Sequence, residues 1–119
     1  MHVLICDDDA AFGARMADYI HDYFEARSVQ LQTVVCTGAA EALRTPYLEL
    51  YQLAFLDVDM PGTNGIALGR ELKQRSPDIR LVYVSAYLEF APEGYTVNAY
   101  RYLLKRDIAR MLPKCLDDL

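Results

Sequence analysis

Nowhere does the sequence carry the ~20 consecutive apolar residues that a membrane-spanning helix requires. Its opening residues, Met1-His2-Val3-Leu4-Ile5-Cys6-Asp7, hold an apolar run too short for a signal peptide and no basic start. The expectation is a cytoplasmic protein with no membrane role. Cysteine is scarce: Cys6, Cys36 and Cys115 are an odd number at no metal-ligand spacing. Cys6 and Cys36 fall within apolar runs and read as reduced core residues rather than a disulfide framework. Positive charge is scarce too. A formal net charge of −5 leaves no basic face to neutralise phosphates, which argues against direct nucleic-acid binding by these residues while leaving any attached domain unconstrained. The two histidines, His2 and His21, have no acidic or cysteine partner at ligand spacing and read as residues without a functional role. Repeats, low-complexity tracts and linkers are also missing.

What is present fits one globular domain with one core. The 119 residues are 53% hydrophobic and 24% charged, a soluble-domain profile. Short apolar runs alternate with longer amphipathic ones, the pattern of βαβ units on a parallel sheet. Residues 3–6 read as a first buried strand. Phe12, Met16, Ile20 and Phe24 then recur every four residues along one face of a helix. Residues 29–36 alternate, with Val29, Leu31, Thr33 and Val35 opposite Gln30 and Gln32, as a half-exposed edge strand would. Gly38 and the alanines up to Leu43 open a second helix that ends before Pro46. Residues 53–56 are apolar throughout, as a central parallel strand covered on both faces must be. Pro61-Gly62-Thr63-Asn64-Gly65 is a turn cluster. A third helix follows over 66–75, a fourth strand over 81–84 and a fifth over 100–104. Pro92 reads as the first position of a short fourth helix over 92–97, capped by Asn98. The last helix carries Ile108, Met111, Leu112, Cys115, Leu116 and Leu119 as its stripe, and Pro113 is expected to kink it or begin a fresh turn. Five strands and five helices alternate strictly.

In an open parallel sheet the ligand site lies beyond the carboxyl ends of the strands. Asp7, Asp8 and Asp9 follow the first strand, Asp57 ends the third, Ser85 ends the fourth and Lys105 closes the fifth. Clustered carboxylates raise one another's pKa unless a cation sits among them. Oxygen ligands without thiol or imidazole select a hard ion, Mg²⁺ in a cell. A carboxylate nucleophile with Mg²⁺, a lysine and a hydroxyl is a set organised for phosphoryl transfer. Blander readings stand beside this one. The acidic triplet ahead of a helix suits an N-cap and a dipole complement, and Asp9 is expected to be that cap. Lys105 and Ser85 taken singly read as structural. Asp57 resists a bland reading, because an unpaired buried carboxylate is costly.

The runs LICDDD, AFLDVDMPGTNG, YVSAY and AYRYLLK resemble, in this order and over the whole chain, the receiver domain of bacterial response regulators. The resemblance implies a flavodoxin-like (βα)5 α/β fold, a doubly wound five-stranded parallel sheet in the order 2-1-3-4-5. It implies that Asp57 is the phosphoacceptor and that Asp7, Asp8, Asp57 and the backbone carbonyl of Asp59 ligate Mg²⁺. Ser85 becomes the hydroxyl that senses the phosphoryl group, Tyr102 the aromatic switch and Lys105, with Asp57 and Ser85, a catalytic residue of the site. It further implies a sensor histidine kinase as phosphodonor, phosphorylation-linked homodimerisation, and signalling through the surface of the fourth helix, fifth strand and fifth helix, where Tyr95, Tyr100 and Tyr102 lie. Residues 87–98 are expected to be the least protected segment and the most responsive to phosphorylation. LDVDMPGTNG with NAYRYLLK is most similar to receivers that precede a LytTR-type DNA-binding domain, so residues 1–119 are expected to be a receiver whose output domain lies outside them. The family's usual proline after the strand-five lysine is replaced by Arg106, so the Lys105–Arg106 bond is expected to be trans.

Three rival classes fit less well. Asp57-Val58-Asp59 matches the Asp-x-Asp of aspartyl-nucleophile phosphohydrolases of the haloacid dehalogenase type, but that motif sits on a first strand of a larger body. A flavodoxin-like cofactor binder needs a phosphate loop after the first strand, where the acidic triplet would repel phosphate. A pseudo-receiver serving only as an interaction module would not need the reactive residues that are all present.

Overall fold

The computed structural model describes residues 1–86 and 99–119. The expected fourth helix over 92–97, the Asn98 cap, Tyr95 and the segment 87–98 lie outside the described residues. The elements are β1 (His2–Cys6), α1 (Ala10–Glu25), β2 (Gln32–Cys36), α2 (Ala39–Leu43), β3 (Leu53–Asp57), β4 (Asp59–Met60), β5 (Thr63–Asn64), α3 (Gly65–Arg75), β6 (Arg80–Ser85), β7 (Arg101–Leu104) and α4 (Ile108–Asp117). Single 3₁₀ turns occupy Leu48–Leu50 and Lys105–Asp107.

Five parallel strands form one sheet in the order β2-β1-β3-β6-β7, which is the 2-1-3-4-5 order of the flavodoxin-like fold when the short β4–β5 ribbon is set aside. The apolar runs arise because helices cover both faces. Leu4, Cys6, Ala54, Leu56, Leu81 and Tyr83 pack with Leu68 and Leu72 of α3 and Ala42 of α2. The alternate residues Val3, Ile5, Leu53, Phe55, Val82 and Val84 pack with Met16, Ile20 and Phe24 of α1 and Leu112, Cys115 and Leu116 of α4. The chain reverses direction across the sheet between β1 and β3, so their carboxyl ends border the switch-point crevice.

Several boundaries differ from the sequence reading for local reasons. β2 begins at Gln32, not residue 29, because the Val29 amide donates to the Phe24 carbonyl (3.0 Å) in the turn that closes α1, where Ser28 takes a left-handed φ of 58°. The Pro61–Gly65 cluster folds as a tight turn with Gly62 at φ 79°, the backbone a type II turn needs after proline. That turn closes the antiparallel β4–β5 ribbon. α3 starts at Gly65, capped by Asn64 Oδ1 accepting from the Ala67 amide at 3.0 Å. Pro113 lies inside α4, so no new helix begins there. His21 is tied to the edge strand through Thr33 Oγ1 at 2.9 Å. The three cysteines are free and buried.

Tyr83 is fully buried, and its hydroxyl has no hydrogen-bond partner among the described residues. It lies against Gly69 of α3, where a β-carbon would come within 2.0 Å of the hydroxyl oxygen. A buried unpaired hydroxyl carries an uncompensated desolvation cost. Tyr83→Phe is therefore expected to stabilise the protein by about 1 kcal/mol, read as a higher urea midpoint at unchanged m-value. A lower midpoint would mean that the hydroxyl is satisfied in solution.

Candidate functional site

Three strand ends and the first turn of α1 build the site. In β1, Ile5 faces α1, so two residues on Asp7 emerges on the same side. It is 3% exposed. Its Oδ1 accepts from the Asp9 amide at 2.9 Å, and Asp9 in turn caps α1 by accepting from the Phe12 amide at 3.1 Å. The capping role expected of Asp9 is thus observed, and it frees Asp7 and Asp8 from that task. Asp57 ends β3 on the same side as Phe55 and is 5% exposed. The Asp59 amide donates to its Oδ1 at 3.3 Å.

Lys105 begins the 3₁₀ turn directly after β7, on the side of Leu103 that faces α1. Its Nζ lies 2.9 Å from Asp7 Oδ2 and 3.5 Å from Asp57 Oδ2. The chain passes from Lys105 to Arg106 without a cis bond; none occurs among the described residues. Asp7, Asp8 and Asp57 each offer a carboxylate oxygen within 4.8 Å of the others. Asp8 is exposed, so the cluster opens to solvent on its side.

The electrostatics of this arrangement are unbalanced. Burial, then the charge of Asp7, pushes the Asp57 carboxyl up to about 7; Lys105 pulls it down, a hydrogen bond with Asp8 raises it and the Asp59 amide lowers it. Burial disfavours the Lys105 ammonium, but its hydrogen bond to Asp7 and the fields of Asp57 and Asp7 outweigh that, so its pKa is raised. Among the described residues one cation faces three carboxylates, and a second cation would relieve the excess. The donors are all carboxylate oxygens with no thiol or imidazole in the cluster, a set suited to a hard divalent ion such as Mg²⁺.

Other expected residues fall nearby but outside the cluster. The Asp59 side chain is exposed and absent from it. Ser85 is fully buried at the end of β6, on the α3 side of the sheet, and its register partner in β7 is Leu104. Tyr102 pairs with Tyr83 and is therefore the diagonal neighbour of Ser85 on that same side. Its ring is half-buried, 6.3 Å from that of Tyr83. Sequence reasoning missed Phe12, taken for an ordinary core residue: its ring is half-buried and lies 4.6 Å from Lys105 Nζ. The available signal was position, since Phe12 stands only three residues beyond the Asp9 cap and hence above the strand ends.

Residues 3–115 match the model of the family described as response regulator receiver domain. An uncharacterized response regulatory protein of Shewanella oneidensis is 34% identical over 115 residues, covering 95% of this chain and 46% of that protein. The sensory transduction protein LytT of Enterococcus faecalis is 29% identical over 105 residues, covering 88% of this chain and 42% of that protein. The chain thus spans about half the length of the curated relatives it matches. Among solved structures, the response regulator TrrA of Thermotoga maritima, in complex with Mg²⁺ and BeF, superposes with a TM-score of 0.74 at 19% identity, covering 98% of this chain and 96% of that one. At that identity the likeness speaks for the fold.

Proposed function

Because the chain belongs to the response regulator receiver domain family of two-component systems, we propose that Asp57 accepts a phosphoryl group from the phosphohistidine of a sensor histidine kinase. The observation that carries this reading is a buried carboxylate at the end of a central strand, raised to about 7 and set beside two further carboxylates and a lysine. An Asp57 carboxylate oxygen attacks phosphorus in line with the P–N bond. The O–P bond forms as the P–N bond breaks, and its electron pair stays on the imidazole, which takes up a proton. Lys105 neutralises charge on an equatorial oxygen, and the Ser85 hydroxyl donates to another.

Asp7, Asp8, Asp57 and the backbone carbonyl of Asp59 are the proposed ligands of Mg²⁺. When bound, the ion compensates the carboxylates and the incoming phosphoryl charge. Asp7 is already held by Lys105 and the Asp9 amide, whereas Asp8 faces solvent, so Asp8 is the principal carboxylate ligand. Asp8→Ala is expected to abolish measurable Mg²⁺ binding and leave the fold intact; an unchanged affinity in a metal titration would refute the assignment.

On this reading residues 1–119 form the receiver of a longer cytoplasmic regulator and modify only themselves, without turnover. Relatives about twice as long, one of them named LytT, support a LytTR-type DNA-binding output domain. Drawing Ser85 toward the phosphoryl group would open space on the α3 side for its diagonal neighbour Tyr102, altering the β7–α4 surface and promoting homodimerisation. Intact mass after exposure to a small phosphodonor with Mg²⁺ tests the core of the proposal. One added phosphoryl group is expected. Repeated release of free phosphate from simple phosphate esters would instead favour a phosphohydrolase.

A further inference from the structure

We propose that Phe12 is a positioning residue for phosphoryl transfer, holding the Lys105 ammonium in line with Asp57 through the face of its ring. This inference rests on Asp57 being the phosphoacceptor. Phe12 belongs by spacing to the apolar stripe of α1, yet Met16 and Ile20 are buried in the core and Phe12 is only half-buried. It stands one turn above Met16, level with the rim of the sheet. There it lines a small cavity together with Asp7, Asp57, Met16 and Val84.

Lys105 Nζ lies 2.9 Å from Asp7, 3.5 Å from Asp57 and 4.6 Å from the Phe12 ring centroid. The two carboxylates and the ring reach the ammonium from the same side of the sheet, since Asp7, Asp57 and Lys105 all follow residues that face α1. Asp7 makes the shorter ion pair and would draw a flexible lysine away from Asp57. An aromatic face attracts a cation with little directional demand and gives up no proton to compete for. It supports the ammonium between the two carboxylates without fixing it to either, so Lys105 stays free to follow a phosphoryl oxygen. An aliphatic side chain would fill the same space and lose that support. The Arg15 guanidinium also approaches the ring, at 5.7 Å, but from an exposed position.

The test is a rate measurement on the whole chain with acetyl phosphate as phosphodonor at saturating Mg²⁺, read by intact mass, with the Mg²⁺ dissociation constant measured beside it. Phe12→Leu is expected to lower the maximal phosphorylation rate five- to tenfold and leave the Mg²⁺ constant within twofold. Phe12→Trp is expected to retain the wild-type rate within twofold. In a Lys105→Met background, Phe12→Leu is expected to have no further effect, because the ring acts only through the ammonium. If Phe12→Leu fails to fold, Phe12→Met replaces it as the non-aromatic variant. Equal rates for the leucine and tryptophan variants, or the same loss with and without Lys105, would overturn the proposal and leave Phe12 as packing. Failure of the wild-type chain to take a phosphoryl group on Asp57 would overturn the acceptor assignment first, and this inference with it.

Discussion

Asp57→Asn is expected to take up no phosphoryl group and, in the absence of Mg²⁺, to be more stable than the wild type. The first effect follows from chemistry, since a carboxamide cannot form the acyl phosphate. Mass spectrometry after phosphodonor treatment should show an unmodified variant beside a labelled wild type, and full labelling of the variant would remove Asp57 from its role. The second effect follows from the raised carboxyl. Its folded-state value of about 7 lies well above the ordinary 3.8, so the folded protein binds this proton more tightly than the unfolded chain. The contribution of Asp57 to stability is therefore fully present below about pH 4 and is lost as the pH rises through about 7. At pH 8 the substitution should stabilise the metal-free protein by on the order of 2 kcal/mol, less than the full shift implies because Lys105 loses a partner. That gain should shrink as the pH falls toward 5 and also as Mg²⁺ is added to the wild type. Urea titrations at pH 5 and 8, with and without Mg²⁺, would read all three trends; a variant less stable than wild type at pH 8 without metal would contradict this account.

Legibility in the sequence followed the range of the interactions involved. The buried strands β1, β3 and β6 were plain because both of their faces are covered, which leaves uninterrupted apolar runs. The Asp9 cap was plain because capping is settled within three residues. Asp57 stood out because a carboxylate closing such a run has no cheap structural explanation. The start of β2 was misread because Val29 has a strand former's side chain, while the left-handed Ser28 that diverts its amide into the α1 turn is invisible in composition. The β4–β5 ribbon was legible only as a turn, since its strands are two residues each. Between distant parts of the chain only the gathering of Asp7, Asp57 and Lys105 at the strand ends was legible; which of them pair was not. The Lys105–Asp7 ion pair joins opposite ends of the sequence, and the stacking of Lys105 on Phe12 needs both the helix position and the strand order. Periodicity assigned Phe12 to the core because it reports the face of a helix, not the height along it.

Gly65→Ala is expected to be the most damaging small substitution near the site. Gly65 opens α3 and its amide donates to the Val58 carbonyl at 2.9 Å. A β-carbon there would meet the Asp57 carbonyl oxygen at 2.1 Å, the Asp57 carbonyl carbon at 2.9 Å and Val58 Cα at 3.1 Å. All three are backbone atoms at the end of a central strand, so no side chain can rotate out of the way, and either the start of α3 or the end of β3 must shift. Overpacking usually costs 1–3 kcal/mol, and contact with rigid backbone belongs at or above the upper end, about 3 kcal/mol. For a domain of this size that is a fall of roughly 10 °C in melting temperature. The same shift moves the Asp57 carboxylate relative to Asp7, Asp8 and Lys105, so Mg²⁺ affinity and phosphorylation rate should fall with stability. Gly38→Ala provides the contrast: a β-carbon there meets nothing within 4 Å, and the loss of an N-cap glycine should cost about 1 kcal/mol or less. Thermal melts and Mg²⁺ titrations on the two variants separate the cases. A Gly65→Ala protein that melts within 2 °C of wild type, on the order of 0.5 kcal/mol, would show that α3 can move off the strand end without disturbing the acceptor.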